Sequence, residues 1–136
     1  LETIRGDILR AAGQYTLQGL AFDPWTADNF AAELYTRNSI PVKKCQQSLS
    51  NLSEPSKYFE QLTVGKKLFH DGNPVVAWNL DNTQIFRDSN NNIRPHKGKS
   101  KGKIDGIMAA VNAVWAMQEY DKENPTFDIG NMISYF

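Results

Sequence analysis

The chain predicts an α/β domain, and three observations carry that reading. Two short apolar runs, at 17–22 and 40–46, bracket a helical stretch from 27 to about 36 with brief connections. Strand, helix, strand in that order is a βαβ unit, whose crossover implies parallel pairing. Farther on, residues 83–87 and 93–95 flank Asp88-Ser89-Asn90-Asn91-Asn92, a polar turn suited to a hairpin. Finally, Ile104, Ile107, Met108, Val111, Val114 and Trp115 form one stripe of a helix predicted over 103–119.

The remaining elements follow in chain order. Residues 2–12 place Ile4, Ile8, Leu9 and Ala12 at helical spacing, with Gly13 as the stop. The run LQGLAF reads as a buried strand, and Asp23-Pro24-Trp25 breaks it, because proline has no amide to give to a ladder. Thr26 is placed to cap the helix that follows, which would turn Phe30, Leu34 and Ala31 inward. Ser53, with Pro55 just inside, predicts the start of a helix carrying Tyr58, Phe59 and Leu62 and ending near Gly65. Pro74 opens a short helix with Val75, Val76 and Trp78. Trp25, Trp78 and Trp115 are most simply core or partly buried packing. The body of the domain is expected over 1–120, with 121–136 a loosely held tail.

Composition narrows the class of protein. A chain of 136 residues, 40% hydrophobic and 22% charged, has enough apolar surface for one folded domain. Its formal net charge is +0, so any attraction for nucleic acid has to come from a local patch. Cys45 is the single cysteine, which excludes an internal disulfide and a cysteine-built zinc site and fits a reducing cytosol. No apolar run approaches the ~20 residues that span a bilayer. The chain opens at Leu1 directly into a helical pattern, as expected of a piece of a larger protein.

Two carboxylates stand out. Asp23 ends a strand-like run, and open α/β sheets put their chemistry at the carboxyl ends of strands. Asp105 opens the last helix, directly after a loop with four lysines, Lys97, Lys99, Lys101 and Lys103. Each has a plainer reading: an aspartate before proline as a turn residue, and an acid in a first helical turn as a partner of the helix dipole. The loop itself reads either as solvated or as an anion-binding patch, its glycines keeping it mobile and its four ammonium groups repelling one another until an anion approaches. Gly98-Lys99-Ser100 imitates the end of a P-loop, but Ile93 stands where the leading glycine belongs, so a nucleotide site is excluded. His70-Asp71 reads as a structural or supporting pair, and His96 as a loop histidine.

In order, Asp23-Pro24-Trp25, FHDGNPVVAWNLDN, the hairpin, the lysine loop and KIDGIMAAVNAV resemble the nuclease domain of the large terminase subunit of tailed bacteriophages. The likeness covers residues 2 to 118, the carboxyl-terminal part of that domain. It implies a ribonuclease H-like fold truncated at its N-terminal strands, with Asp23 and Asp105 as catalytic metal ligands. His70, Asp71 and Asn82 would support them. The family's first acid lies on an opening central strand that has no counterpart here, and its ATPase motifs are absent. The resemblance implies Mg²⁺ or Mn²⁺, bound weakly or not at all by this chain alone. Two such ions, about 3.5–4 Å apart, activate a water and stabilise the leaving oxygen of a phosphodiester, and hard cations take oxygen ligands. Implied partners are double-stranded DNA, gripped by the four loop lysines, and in the intact protein the small terminase subunit and the portal. The implied setting is the cytoplasm of a host bacterium. The missing strand leaves residues 17–22 with an open edge, so self-association is expected. A second reading stays open: a non-catalytic DNA- or protein-binding remnant of the same domain.

Overall fold

The computed structural model describes residues 1–125. Its elements in order are α1 (Glu2–Gln14), β1 (Leu20–Phe22), α2 (Pro24–Asn38), β2 (Val42–Lys44), α3 (Leu49–Val64), α4 (Pro74–Asn82), β3 (Ile85–Arg87), β4 (Ile93–Pro95) and α5 (Asp105–Glu123). β1 and β2 pair in parallel, with Leu20 beside Val42 and Phe22 beside Lys44. This is the pairing that the βαβ order predicts. β3 and β4 pair antiparallel, Phe86 opposite Arg94. Asp88 closes the hairpin turn by accepting from the backbone amides of Asn90 and Asn92 at 2.9 and 2.8 Å.

The core forms where α5 crosses α3 and the first sheet. Cys45, Leu52, Phe59, Ile107 and Val111 make one buried cluster, and Ala21, Met108, Val114 and Trp115 pack against it. Leu52 and Val111 are fully buried, each a contribution of about 1.5–3 kcal/mol from apolar transfer. Trp115 lays its ring on this cluster and donates its indole N–H to Asn51 Oδ1 at 3.1 Å. The hairpin is pinned to α3 by Ser53, whose buried hydroxyl accepts from Ile93 N at 3.2 Å.

That bond corrects one predicted boundary. Ser53 does not open α3, since its hydroxyl is spent on the hairpin; Ser48 caps the helix a turn earlier, accepting from Asn51 N, and Pro55 lies inside. Likewise Asp23, not Thr26, caps α2: its Oδ1 accepts from Trp25 N at 3.1 Å, with Pro24 at the first helical position. α1 runs through Gly13 to Gln14 and buries no residue. Ile4 and Leu9 remain 53% and 37% exposed, because α1 is attached chiefly through Arg5, which bonds Glu33 and lies over the Phe30 ring. Trp25 is 91% exposed, against the packing role expected of it. The last helix continues to Glu123, past the expected boundary at 120, and the rest of the expected tail, 126–136, lies outside the described residues.

Candidate metal and nucleic-acid site

Asp23 and Asp105 line one open cleft of about 490 Å³. The fold brings them there from opposite directions. Asp23 stands where β1 ends and α2 begins, and Asp105 is the first residue of α5. Between them the wall is built by Gln47, Arg94, His96, Lys97 and Asn112, with Thr26 at the α2 side. β4 explains two of these. Ile93 and Pro95 are buried, so the alternation of a strand turns Arg94 and the following His96 to the other face.

Asp105 is exposed and forms an ion pair with Lys97, Nζ to Oδ1 at 2.9 Å. The Lys97 hydrogen bond and charge, helped by Lys103, hold the Asp105 carboxyl below the usual carboxylate range. The start of α5 has no cap of its own, since Ile104 at the N-cap offers no acceptor. Asn79 of α4 supplies one. Its buried side chain accepts from Gly106 N at 2.9 Å and donates to Val75 O at 3.0 Å. Gly106 is suited to this approach, because a Cβ there would lie 3.2 Å from Asn79 Oδ1. α4 thereby fixes the turn that presents Asp105.

The lysine loop is anchored at several points. Lys99 N and Ser100 N donate to His96 O at 3.1 Å, Gln84 N donates to Ser100 Oγ at 3.1 Å, and Lys101 N donates to Asn82 O at 3.3 Å. The mobility expected of it is thus opposed by bonds to the residue before β3, the residue after β4 and the end of α4. Lys97 reaches the carboxylate cleft; Lys97 and Lys103, with Trp78, line a neighbouring one of about 440 Å³ that shares Asp105. Lys99 and Lys101 are exposed on the loop.

The three residues expected to support the acids sit elsewhere. His70 Nδ1 accepts from Gly72 N and Asp71 Oδ1 from Asn73 N, both at 3.0 Å, so the two build the turn into α4. Asn82 backs the lysine loop, where a Cβ on Gly102 would meet its Nδ2 at 2.7 Å. None of the three lines the carboxylate cleft. Arg94, Gln47, Asn112 and Asn79 were missed by sequence reasoning, and His96, read as a loop histidine, was not placed in the cleft. Only the strand alternation around Ile93 and Pro95 offered a signal, and it needed the buried face to be known.

Two carboxylates on one open cleft suit a hard divalent cation, which takes oxygen donors. Among the described residues no group of three or more His, Cys, Asp or Glu side chains could hold a metal ion.

A parallel β1–β2 pair, carboxylates at a strand end and a helix start, and a basic loop between hairpin and helix define an α/β domain of ribonuclease H-like architecture. The chain belongs to the family described as terminase large subunit, endonuclease domain, whose profile matches residues 4–121. It is 30% identical over 108 residues to Protein YmfN of Escherichia coli (strain K12), covering 78% of this chain and 24% of that protein. To the terminase large subunit of Enterobacteria phage HK97 it is 27% identical over 124 residues, 90% of this chain and 25% of that one. The crystal structure of the HK97 bacteriophage large terminase superposes with a TM-score of 0.77 at 26% identity, over 84% of this chain and 24% of that chain. The chain therefore spans about a quarter of the length of these relatives. It corresponds to part of a terminase large subunit's nuclease domain.

Proposed function

We propose that this chain supplies Asp23 and Asp105 as two of the carboxylates of a divalent-metal endonuclease site that cuts concatemeric double-stranded DNA during genome packaging. The observation that carries the reading is their convergence on one cleft with Arg94, His96 and Lys97 in its wall, in a chain of the terminase nuclease family. Bound Mg²⁺ or Mn²⁺ supplies a nucleophilic water at neutral pH and charge stabilisation at the phosphodiester. Asp23, fixed as the cap of α2, and Asp105, fixed through Gly106 and Asn79, hold the oxygen donors in place. Lys97 pairs with Asp105 and favours its ionised form, the form that would hold a cation. Lys99, Lys101 and Lys103 neutralise phosphates along the duplex without reading bases, which suits a cut of low sequence specificity. Within the whole protein, the small terminase subunit and the portal are the partners this role requires.

A non-catalytic DNA-binding role is the second reading, favoured by the incomplete ligand set among the described residues. One titration separates the two. Mn²⁺ binding followed by calorimetry is expected to be weak, to be lost in both Asp23→Asn and Asp105→Asn, and to survive Asp81→Asn. Equal binding in all three variants would overturn the shared metal site. With a donor short, the chain alone is expected to nick plasmid DNA poorly even in Mn²⁺.

A further inference from the structure

The cleft contains a cation whose chemistry the two carboxylates do not explain. Arg94 stands on β4, its side chain half-buried and turned away from the core face held by Ile93 and Pro95. One terminal nitrogen, Nη1, donates to the backbone carbonyl of Gln47 at 2.6 Å. Nε is buried with no acceptor. Among the described residues Arg94 has no carboxylate partner, although the cleft it lines contains two: Asp105 is taken by Lys97, and Asp23 by the Trp25 amide. A half-buried guanidinium ordinarily has an anion beside it, because its desolvation is otherwise uncompensated. Here it is restrained by a strand and by one neutral carbonyl, and no described carboxylate pairs with it.

Resting on the endonuclease reading above, we propose that Arg94 is a fixed phosphate clamp that seats the DNA backbone at the Asp23–Asp105 cleft. Three features fit. Guanidinium is planar and presents parallel N–H donors that match two oxygens of a phosphate, which an ammonium cannot do. The bond to Gln47 O consumes one donor and orients the rest, so little side-chain freedom is lost on binding. The position also differs from that of two loop lysines: Lys99 and Lys101 are exposed and do not line the cleft, whereas Arg94 shares its wall with both acids. The lysines attract the duplex, and Arg94 sets which phosphate lies beside the carboxylates. The competing role is a strut that ties the hairpin to the segment after β2.

Binding of a fluorescent 20-base-pair duplex, without metal and at several salt concentrations, decides between them. Arg94→Lys keeps the charge but not the paired donors and is expected to lose about fivefold in affinity with its salt slope kept, whereas Arg94→Gln loses about tenfold. Its slope of log K against log salt should fall by about 0.9, one phosphate contact. Thermal unfolding of both variants is measured alongside. Unchanged affinity and slope in Arg94→Gln would overturn the clamp. So would equal losses in both variants that track a shared drop in Tm, the signature of a strut. Lys97→Ala separates this claim from the one beneath it. If that variant lowers the slope and Arg94→Gln does not, DNA binding at the cleft stands and the Arg94 assignment falls. If the parent chain itself fails to bind duplex at low salt, both fall, and the Mn²⁺ titration alone judges the carboxylates.

Discussion

Lys97 Nζ lies 2.9 Å from Asp105 Oδ1, and this contact determines how the acid behaves before any cation is bound. The pairing keeps Asp105 charged to lower pH than an ordinary carboxylate. By linkage, a depressed folded-state pKa stabilises the fold above the unfolded carboxylate range, and that contribution is lost as pH falls through the folded value. Both partners are exposed, so the effect on stability is slight; the pKa itself is the better readout. Lys97→Met is expected to raise the Asp105 pKa toward the ordinary range, followed by NMR of its side-chain carboxyl carbon, and an unmoved titration would show that another group sets it. Cys45 shows the opposite sign. Burial, only partly countered by Gln47 and Asn51, pushes its thiol up to about 11. A protonated thiol in the fold stabilises it fully below the unfolded value near 9, and the contribution is lost as pH climbs to about 11. The folded chain should therefore react slowly with an aromatic disulfide reagent at pH 8 and quickly once denatured. Fast reaction without denaturant would show that the Cys45 site opens readily.

Among the elements, α4 contributes less by its apolar residues than by one amide. Val75, Val76, Trp78 and Leu80 are all at least 43% exposed, yet Asn79 is buried and holds the first turn of α5. Asn79→Ala would leave the Gly106 N–H without its acceptor, a cost of about 1–3 kcal/mol. Chemical denaturation should register that loss, and amide exchange at Gly106 should quicken while exchange at Val111, deep in the core, changes only with global stability. Retained protection at Gly106 would show that α5 is capped by other means. Because Asp105 is one residue from the capped amide, the same substitution should also weaken Mn²⁺ binding.

Across the whole molecule, charge is balanced and surface is not. With a net charge of +0, the chain has no global field to attract a polyanion, and the local field of the basic loop reaches about one Debye length of ~8 Å at physiological salt. β1 has a single strand neighbour, β2, among the described residues. Trp25 and Phe69 are 91% and 95% exposed. An open strand edge together with exposed aromatic rings favours association. Sedimentation velocity over a range of concentrations is expected to show a growing oligomer fraction, and a strictly monomeric chain throughout would refute it.

What the sequence determined by itself was local. Short apolar runs, helical apolar spacing, the Asn73-Pro74 helix start and the polar turn at 88–92 decide element types through contacts a few residues apart. They therefore placed Asp23 at a strand end and Asp105 at a helix start, and the ordered motifs led to the right family. Local chemistry misled where a polar group was already engaged across the fold: Ser53 read as a cap because its bond to Ile93, 40 residues away, is invisible in the chain. The tertiary structure alone decided that Asp23 and Asp105 share a cleft and that Arg94 reaches Gln47 across 47 residues. It likewise decided that Asn79 caps α5, and that His70 and Asp71 build a turn outside the cleft. Those outcomes depend on how α5 packs against α3 and β1. Packing is set by the summed burial of many side chains, so no single spacing in the sequence encodes it.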